Sequence, residues 1–186
     1  MKKWQRLRSD IVLDTPYFRL RRDACRLPDG REIDDYYVSE VEDIVLVIAI
    51  TPDDEVILVK QYKHGIGDIC IELPAGMCEA NSDNPLADAQ RELREETGYT
   101  SDDWHKLATL ISNPTRSNNH SHFYLAQSAR KTDTQSLDPN ETIEVQRIPL
   151  TEIRSTLLSG VVNVTDSITG LLLAFNWLDT HKGNTS

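Results

Sequence analysis

The chain has 186 residues, a net charge of -10 and an apolar content of 39%. That length sets one domain as the starting expectation, with room for a small appendage. The acidic balance argues against a nucleic-acid backbone and an anionic membrane surface as partners, and no apolar run nears the ~20 residues that a membrane span requires.

The start, Met1-Lys2-Lys3-Trp4, is basic, but no apolar stretch follows it, so no signal peptide is expected. Ile11-Val12-Leu13 is a short apolar run. Residues 18–27 alternate imperfectly, with arginines between apolar positions, Pro28-Asp29-Gly30 is a turn, and residues 31–39 read as a returning strand. Residues 1–40 are therefore expected to form a small antiparallel β lobe, with too few apolar positions for a core of its own. Tyr17 and Phe18 are read as core residues of that lobe, with stacking on an adenine across a dimer as the alternative.

Ile44 to Ile50 is a continuous apolar run and reads as a central buried strand. Thr51-Pro52-Asp53-Asp54 is a turn and residues 56–61 the next strand, so the two look like a hairpin at the heart of the sheet. Residues 69–73 run towards Pro74-Ala75-Gly76. Pro85 opens a helix that Gly98 ends. Beyond it, residues 104–111 and 123–126 are strands, 112–121 a polar loop, 127–140 a long polar connection and 141–149 a further strand. Thr151 opens a short helix. A longer one covers about 165–180, where Leu171, Leu172, Phe175 and Leu178 make an apolar face. The tail from 183 to 186 is expected to be flexible.

The helix opened by Pro85 carries the chemistry. Glu92, Glu95 and Glu96 stand at i, i+3 and i+4, so their carboxylates share one face. Like charges at that spacing repel, and a cation against the face relieves them. Hard oxygen donors on a rigid element suit Mg²⁺ or Mn²⁺, with substrate phosphate completing the shell. Arg91 is placed to orient a carboxylate through a charge-assisted hydrogen bond.

The whole stretch from Gly76 to Tyr99 resembles the Nudix box, a loop–helix–loop that hydrolyses nucleoside diphosphates linked to another moiety. Arg91 to Gly98 match its fixed positions, while Asp83 stands where the pattern has Glu, in a loop carrying one extra residue. Lys60-Gln61-Tyr62-Lys63, Glu72-Leu73-Pro74-Ala75-Gly76 and Pro114 are similar to the ADP-ribose and ADP-sugar pyrophosphatase branch. The resemblance implies an α+β fold, a Nudix-type α/β/α sandwich with a mixed twisted sheet and a small N-terminal antiparallel β lobe. It divides the chain into a lobe at 1–40, a catalytic domain at 41–182 and a tail at 183–186. It also implies a homodimer joined through the lobe.

By the same resemblance the metal ligands are Ala75 (through its carbonyl), Glu92, Glu95 and Glu96. Lys63 and Glu72 hold the nucleotide part. The general base is a glutamate on a loop after the box. Asp138, Glu141 and Glu144 are the candidates, with Glu141 preferred because it stands just before a strand. Glu144 alternates with apolar neighbours and is expected to face solvent. Arg116, in the loop Asn113-Pro114-Thr115-Arg116-Ser117-Asn118-Asn119-His120, has the chemistry to bind a sugar or phosphate. His120 and His122 are read as one exposed and one packed residue, in preference to a metal pair. The expected reaction is metal-dependent hydrolysis of a nucleoside diphosphate sugar. Alternatives are another nucleoside diphosphate derivative, or a non-catalytic domain that binds a nucleotide sugar. The cysteines, Cys25, Cys70 and Cys78, are odd in number and fit no zinc spacing, which points to the cytoplasm. Cys70 is expected to be buried, Cys78 exposed.

Overall fold

The computed structural model describes residues 1–16, 18–80 and 82–181. The expectations for Tyr17 and for the tail from 183 on fall outside these residues. The chain forms two compact units, one of Met1–Asp43 with Ile111–His120, the other of Ile44–Leu110 with the remainder from Ser121.

The smaller unit is an antiparallel sheet of β1 (Gln5–Asp14), β2 (Arg19–Arg26) and β3 (Glu32–Glu40), in that order. Gly30, at φ 89°, turns β2 into β3. Cys25 and Val38 are buried, and buried Asp23 accepts from Ser9 Oγ at 2.6 Å and Arg21 Nε at 3.0 Å. Outer strand β1 is exposed almost throughout, with Leu7, Ile11 and Leu13 about two-fifths accessible at 39%, 43% and 45%. Phe18, expected in a core, is exposed too, because a sheet of this size has only one thin apolar layer to offer. The segment Ile111–His120 joins this unit: Arg116 O accepts from Ser39 N at 2.7 Å, and Thr115 O from Tyr36 Oη at 2.8 Å.

The larger unit contains β4 (Ile44–Ile50), β5 (Glu55–Lys63), β6 (Asp68–Glu72), β7 (Ala75–Met77), α1 (Pro85–Thr97), β8 (Tyr99–Thr100), β9 (Asp103–Leu110), β10 (Ser121–Gln127), β11 (Arg130–Lys131), β12 (Ile143–Pro149), α2 (Leu150–Thr156) and α3 (Thr165–His181). A single 3₁₀ turn, Leu157–Ser159, follows α2. The main sheet runs β12-β5-β4-β10-β9, with β6 on β5 and β7 on β4. Within it β10 and β4 pair in parallel and the other described neighbours antiparallel, so the sheet is mixed. β8 and β11 form a separate two-stranded ribbon, and β11 lies inside what reads in the sequence as a plain polar connection.

Strand β4 explains the two-sided core. Its side chains alternate: Leu46, Ile48 and Ile50 pack towards α2 and α3, whereas Val45, Val47 and Ala49 pack towards α1. A strand buried on both faces has no polar positions, hence the unbroken apolar run. The β4–β5 hairpin differs from the expectation in one respect. Only Ala49↔Ile57 and Ile50↔Val56 pair near its turn. Further along, the strands part, and β4 pairs with β7 while β5 pairs with β6. The parting inserts Ala75–Met77, the entry to the acidic helix, into the middle of the sheet.

The C-terminal helix α3 is pressed onto the sheet at Gly170, where a Cβ would lie 2.7 Å from Leu73 Cδ1 and 3.1 Å from a Phe123 ring carbon. One turn earlier, the hydroxyl oxygen of buried Ser167 accepts from Leu73 N at 3.0 Å. Leu171, Ala174 and Phe175 complete the buried face, but Leu172 is exposed, because it lies one residue round from Leu171 on a helix.

Candidate active site

Helix α1 is sharply bounded. Asn84 caps its start, accepting from Ala87 N, and Pro85 takes the first position, where no N–H is needed. Gly98 stops it at φ 75°. Leu93 and Ala89 anchor the apolar side against the sheet, which turns Glu92, Glu95 and Glu96 towards a cleft of about 330 Å³. Ala75–Cys78 and Arg91 form its other near walls, and Ser136, Asp138 and Glu141 face them.

Arg91 is the hub. Its guanidinium reaches Glu92 at 2.8 Å, Glu95 at 2.8 Å and the Met77 carbonyl at 3.1 Å. Burial works against its charge, yet Glu92 and Glu95 outweigh this and raise its pKa. Glu96 takes a different partner, accepting from Ala75 N at 2.9 Å. Burial is the main reason its pKa rises to about 8, and Glu92 and Glu141 push it the same way, against the Ala75 N–H and Lys63. Glu92 is raised by burial as well, with Arg91 opposing and Glu95 and Glu141 adding to the rise. Glu92 also lies against bare backbone: a Cβ on Gly76 would fall 2.0 Å from its Cδ.

Among the described residues no three acids, histidines or cysteines converge as a ready metal cage. The reason is visible in the pairings, since Arg91 draws Glu92 and Glu95 while Ala75 N–H holds Glu96. The donor set still fits a hard divalent ion: it is all oxygen, and Glu92 and Glu141 stand close enough to buried Glu96 to add to the rise of its pKa.

The other expected residues are distributed as follows. Glu141 lines the cleft, in a turn where its N–H donates to Asp138 O at 2.9 Å and its Oε2 accepts from Asp138 N at 3.3 Å. Asp138 lines it too, whereas Glu144 is exposed and 3.4 Å from Lys60 Nζ. Lys63 and buried Glu72 pair at 2.8 Å, with Gln61 Nε2 donating to the same carboxylate at 2.9 Å. They lie off the cleft lining. Arg116 belongs to the smaller unit, where its side chain is exposed. His120 is exposed beside Asp43 at 3.4 Å, and His122 is buried in β10, 3.0 Å from Thr109 Oγ1.

Asp83 is exposed, and the work of holding the loop falls to Asp88, which sequence reasoning missed. Its buried carboxylate accepts from Ser82 Oγ at 2.6 Å and Glu79 N at 3.2 Å. Burial opposes its charge, but these bonds, with Arg91 and the Cys78 thiol, lower its pKa. Cys78 is accordingly buried, contrary to expectation, because the loop folds back over the first turn of α1. An acid in that first turn was the available signal.

An acidic helix face opposite a loop carboxylate, entered from the centre of a mixed sheet, suits a metal-assisted hydrolase of phosphoanhydride bonds. Residues 41–167 match the NUDIX domain, and the chain belongs to that family. Residues 4–39 match a nucleoside diphosphate sugar hydrolase N-terminal domain. The chain is 28% identical to an ADP-ribose pyrophosphatase of Mycobacterium tuberculosis over 91% of its own length and 82% of the relative's. It is 27% identical to a GDP-mannose pyrophosphatase of Yersinia enterocolitica over 93% and 94%. A solved structure described as an ADP compounds hydrolase superposes with a TM-score of 0.86, at 21% identity, covering 100% of this chain and 98% of that one. This last likeness shows the shared fold, including the mixed sheet and the small antiparallel N-terminal sheet.

Proposed function

We propose that the cleft hydrolyses the pyrophosphate bond of a nucleoside diphosphate sugar of the ADP-ribose type, giving a nucleoside monophosphate and a sugar phosphate. The observation that carries this reading is the meeting of Glu92, Glu95 and Glu96 with Glu141 in one cleft where Arg91 is the only lining lysine or arginine among the described residues. A pyrophosphate is repelled by such a surface unless a divalent cation inverts its sign. Glu92, Glu95, Glu96 and the backbone at Ala75 would hold Mg²⁺ or Mn²⁺. Bound there, the ion would neutralise phosphoryl oxygens and make water more acidic.

The chain's own groups do the remaining work. Arg91 holds Glu92 and Glu95 in register. Glu141 receives the proton of the attacking water, whose oxygen bonds to one phosphorus. The bridging P–O bond breaks, and its electron pair leaves on the other phosphate. Lys63 and Glu72 are assigned to the nucleotide part. A guanine nucleotide sugar is the second reading, supported by the near full-length likeness to a GDP-mannose pyrophosphatase. The intact glutamate cluster speaks against a purely binding role.

Exposed Leu7, Ile11 and Leu13 on an outer strand support a homodimer, since an apolar sheet edge is a template for another chain. Three buried cysteines, too few and too odd in number for a disulfide framework, support a reducing compartment, the cytoplasm.

The test is incubation with ADP-ribose, ADP-glucose and GDP-mannose in Mg²⁺ or Mn²⁺, with products resolved by anion exchange. AMP and ribose 5-phosphate are expected from ADP-ribose. No product from any of the three, with either metal, would overturn the reading.

A further inference from the structure

The last carbonyls of a helix have no partner within it. In α1 the first is taken up by the cap itself, and the carbonyls of Glu95, Glu96 and Gly98 by a distant stretch of chain. Arg94 O accepts from the capping Gly98 N at 2.8 Å. Glu95 O then accepts from Ser136 N at 2.9 Å, and Gly98 O from Thr132 N and Asp133 N, each at 3.0 Å. Glu96 O is the exception to this backbone pattern, because it is held by a side chain: Gln135 Nε2 donates to it at 2.7 Å. The same Nε2 donates to Ile143 O at 3.2 Å. A primary amide nitrogen has two hydrogens, and both are used here on carbonyls, which also fixes the orientation of the amide.

These two carbonyls belong to different parts of the site. Glu96 stands in the acidic face of α1, and Ile143 is the first residue of β12. The arc between Ser136 and Ile143 carries Asp138 and Glu141 into the cleft. Its internal bonds, between Asp138 and Glu141, shape the turn but do not locate it relative to α1. Ser136 N ties one end. Gln135 ties both ends at once.

We infer that Gln135 is a positioning residue: by clamping the Glu96 carbonyl to the Ile143 carbonyl it sets the place of Glu141 relative to the carboxylates of α1. The inference rests on the proposed role of Glu141 as proton acceptor. A misplacement of ~1 Å at a reacting group can cost ~10²-fold in rate, so loss of the clamp acts on turnover more than on substrate binding.

The full chain is assayed with ADP-ribose and Mg²⁺, comparing Gln135→Met, which keeps length without a donor, with Gln135→Lys, whose ammonium can donate to both carbonyls. Gln135→Met is expected to lower kcat by about ten- to a hundredfold with KM within twofold. Gln135→Lys is expected to restore most of the rate. Amide hydrogen exchange across residues 136–142 should quicken in Gln135→Met and return in Gln135→Lys. In a Glu141→Gln background, Gln135→Met should cost nothing further, because the two act as a unit. Wild-type turnover with unchanged exchange in Gln135→Met would overturn the inference, as would an undiminished loss in the Glu141→Gln background. If Glu141→Gln alone turns over as fast as the wild type, the proposed role of Glu141 fails, and the exchange measurement still decides whether Gln135 fixes the arc.

Discussion

Gly76 and Glu92 meet more closely than any side chain on residue 76 would permit: a Cβ there would lie 2.0 Å from Glu92 Cδ and 2.1 Å from Oε1. The atoms it would strike are the far end of a flexible side chain, so the fold can yield where the site cannot. Gly76→Ala is expected to shift stability by less than about 1 kcal/mol, within the range of a tolerated small change. It should turn Glu92 out of the cleft and lower kcat by about 10²-fold, as loss of one charge-stabilising group does. Thermal melting and turnover measured on the same preparation check the contrast.

Glu96 makes the metal-free protein sensitive to pH. Its pKa is raised by burial from the ordinary glutamate value of 4.5 to about 8 in the folded chain. Between those values the folded state holds a proton that the unfolded state has lost. The contribution is therefore intact below 4.5 and falls as pH rises towards 8, by at most about 1.4 kcal/mol per pH unit. In excess chelator, Glu96→Gln should gain stability relative to the wild type between pH 5 and pH 8. A difference that stays flat over that range would contradict the buried, protonated carboxyl.

Glu141 and Glu96 should separate in a metal titration. Glu141→Gln is expected to reduce kcat by about 10²–10⁴-fold with Mn²⁺ affinity unchanged. Glu96→Gln should weaken Mn²⁺ binding as well as slow turnover. Water-proton relaxation, which reads Mn²⁺ binding without turnover, distinguishes them. Equal Mn²⁺ affinity in both variants would show that Glu96 is not a ligand. Asp138, which faces the same cleft, is next to test if Glu141→Gln retains full rate.

The outer strand of the small sheet makes a prediction about assembly. Light scattering at micromolar concentration should give the mass of a dimer. Ile11→Glu with Leu13→Glu, at residues 43% and 45% exposed, should give a monomer that melts at the same temperature in the larger unit. A monomeric wild type would refute this use of β1.

What could be read from the sequence followed the range of the interaction involved. Strand Ile44–Ile50 was legible to the residue because burial on both faces leaves no polar position to blur its ends. The acidic helix was legible because its cap, its three glutamates and its terminal glycine are all local. Phe18, Cys78 and Leu172 were misread because their burial depends on what folds back over them. Strand β7 has only Ala75, Gly76 and Met77, too few for any period to show. Asp88 has no local mark that separates it from any other first-turn acid, because its donors, Glu79 N and Ser82 Oγ, come from the loop before the helix. The stretch 132–136 was illegible for a deeper reason: most of its bonds to α1 are made by backbone, which every sequence possesses.

The grip of α3 on Leu73 has a consequence for anyone altering the far end of the chain. Leu73 is fully buried and stands two residues before Ala75, whose N–H holds Glu96. Ser167 fixes the height of its backbone, and Gly170 fixes how near the helix may come. A bulkier residue at 170 would lift the helix, and the tilt would be handed through Leu73 to the floor of the reaction chamber. Random mutagenesis scored by turnover should thus find damaging changes on a helix that, among the described residues, supplies none of the cleft lining. In a search for sturdier variants, that helix is the foundation to leave undisturbed.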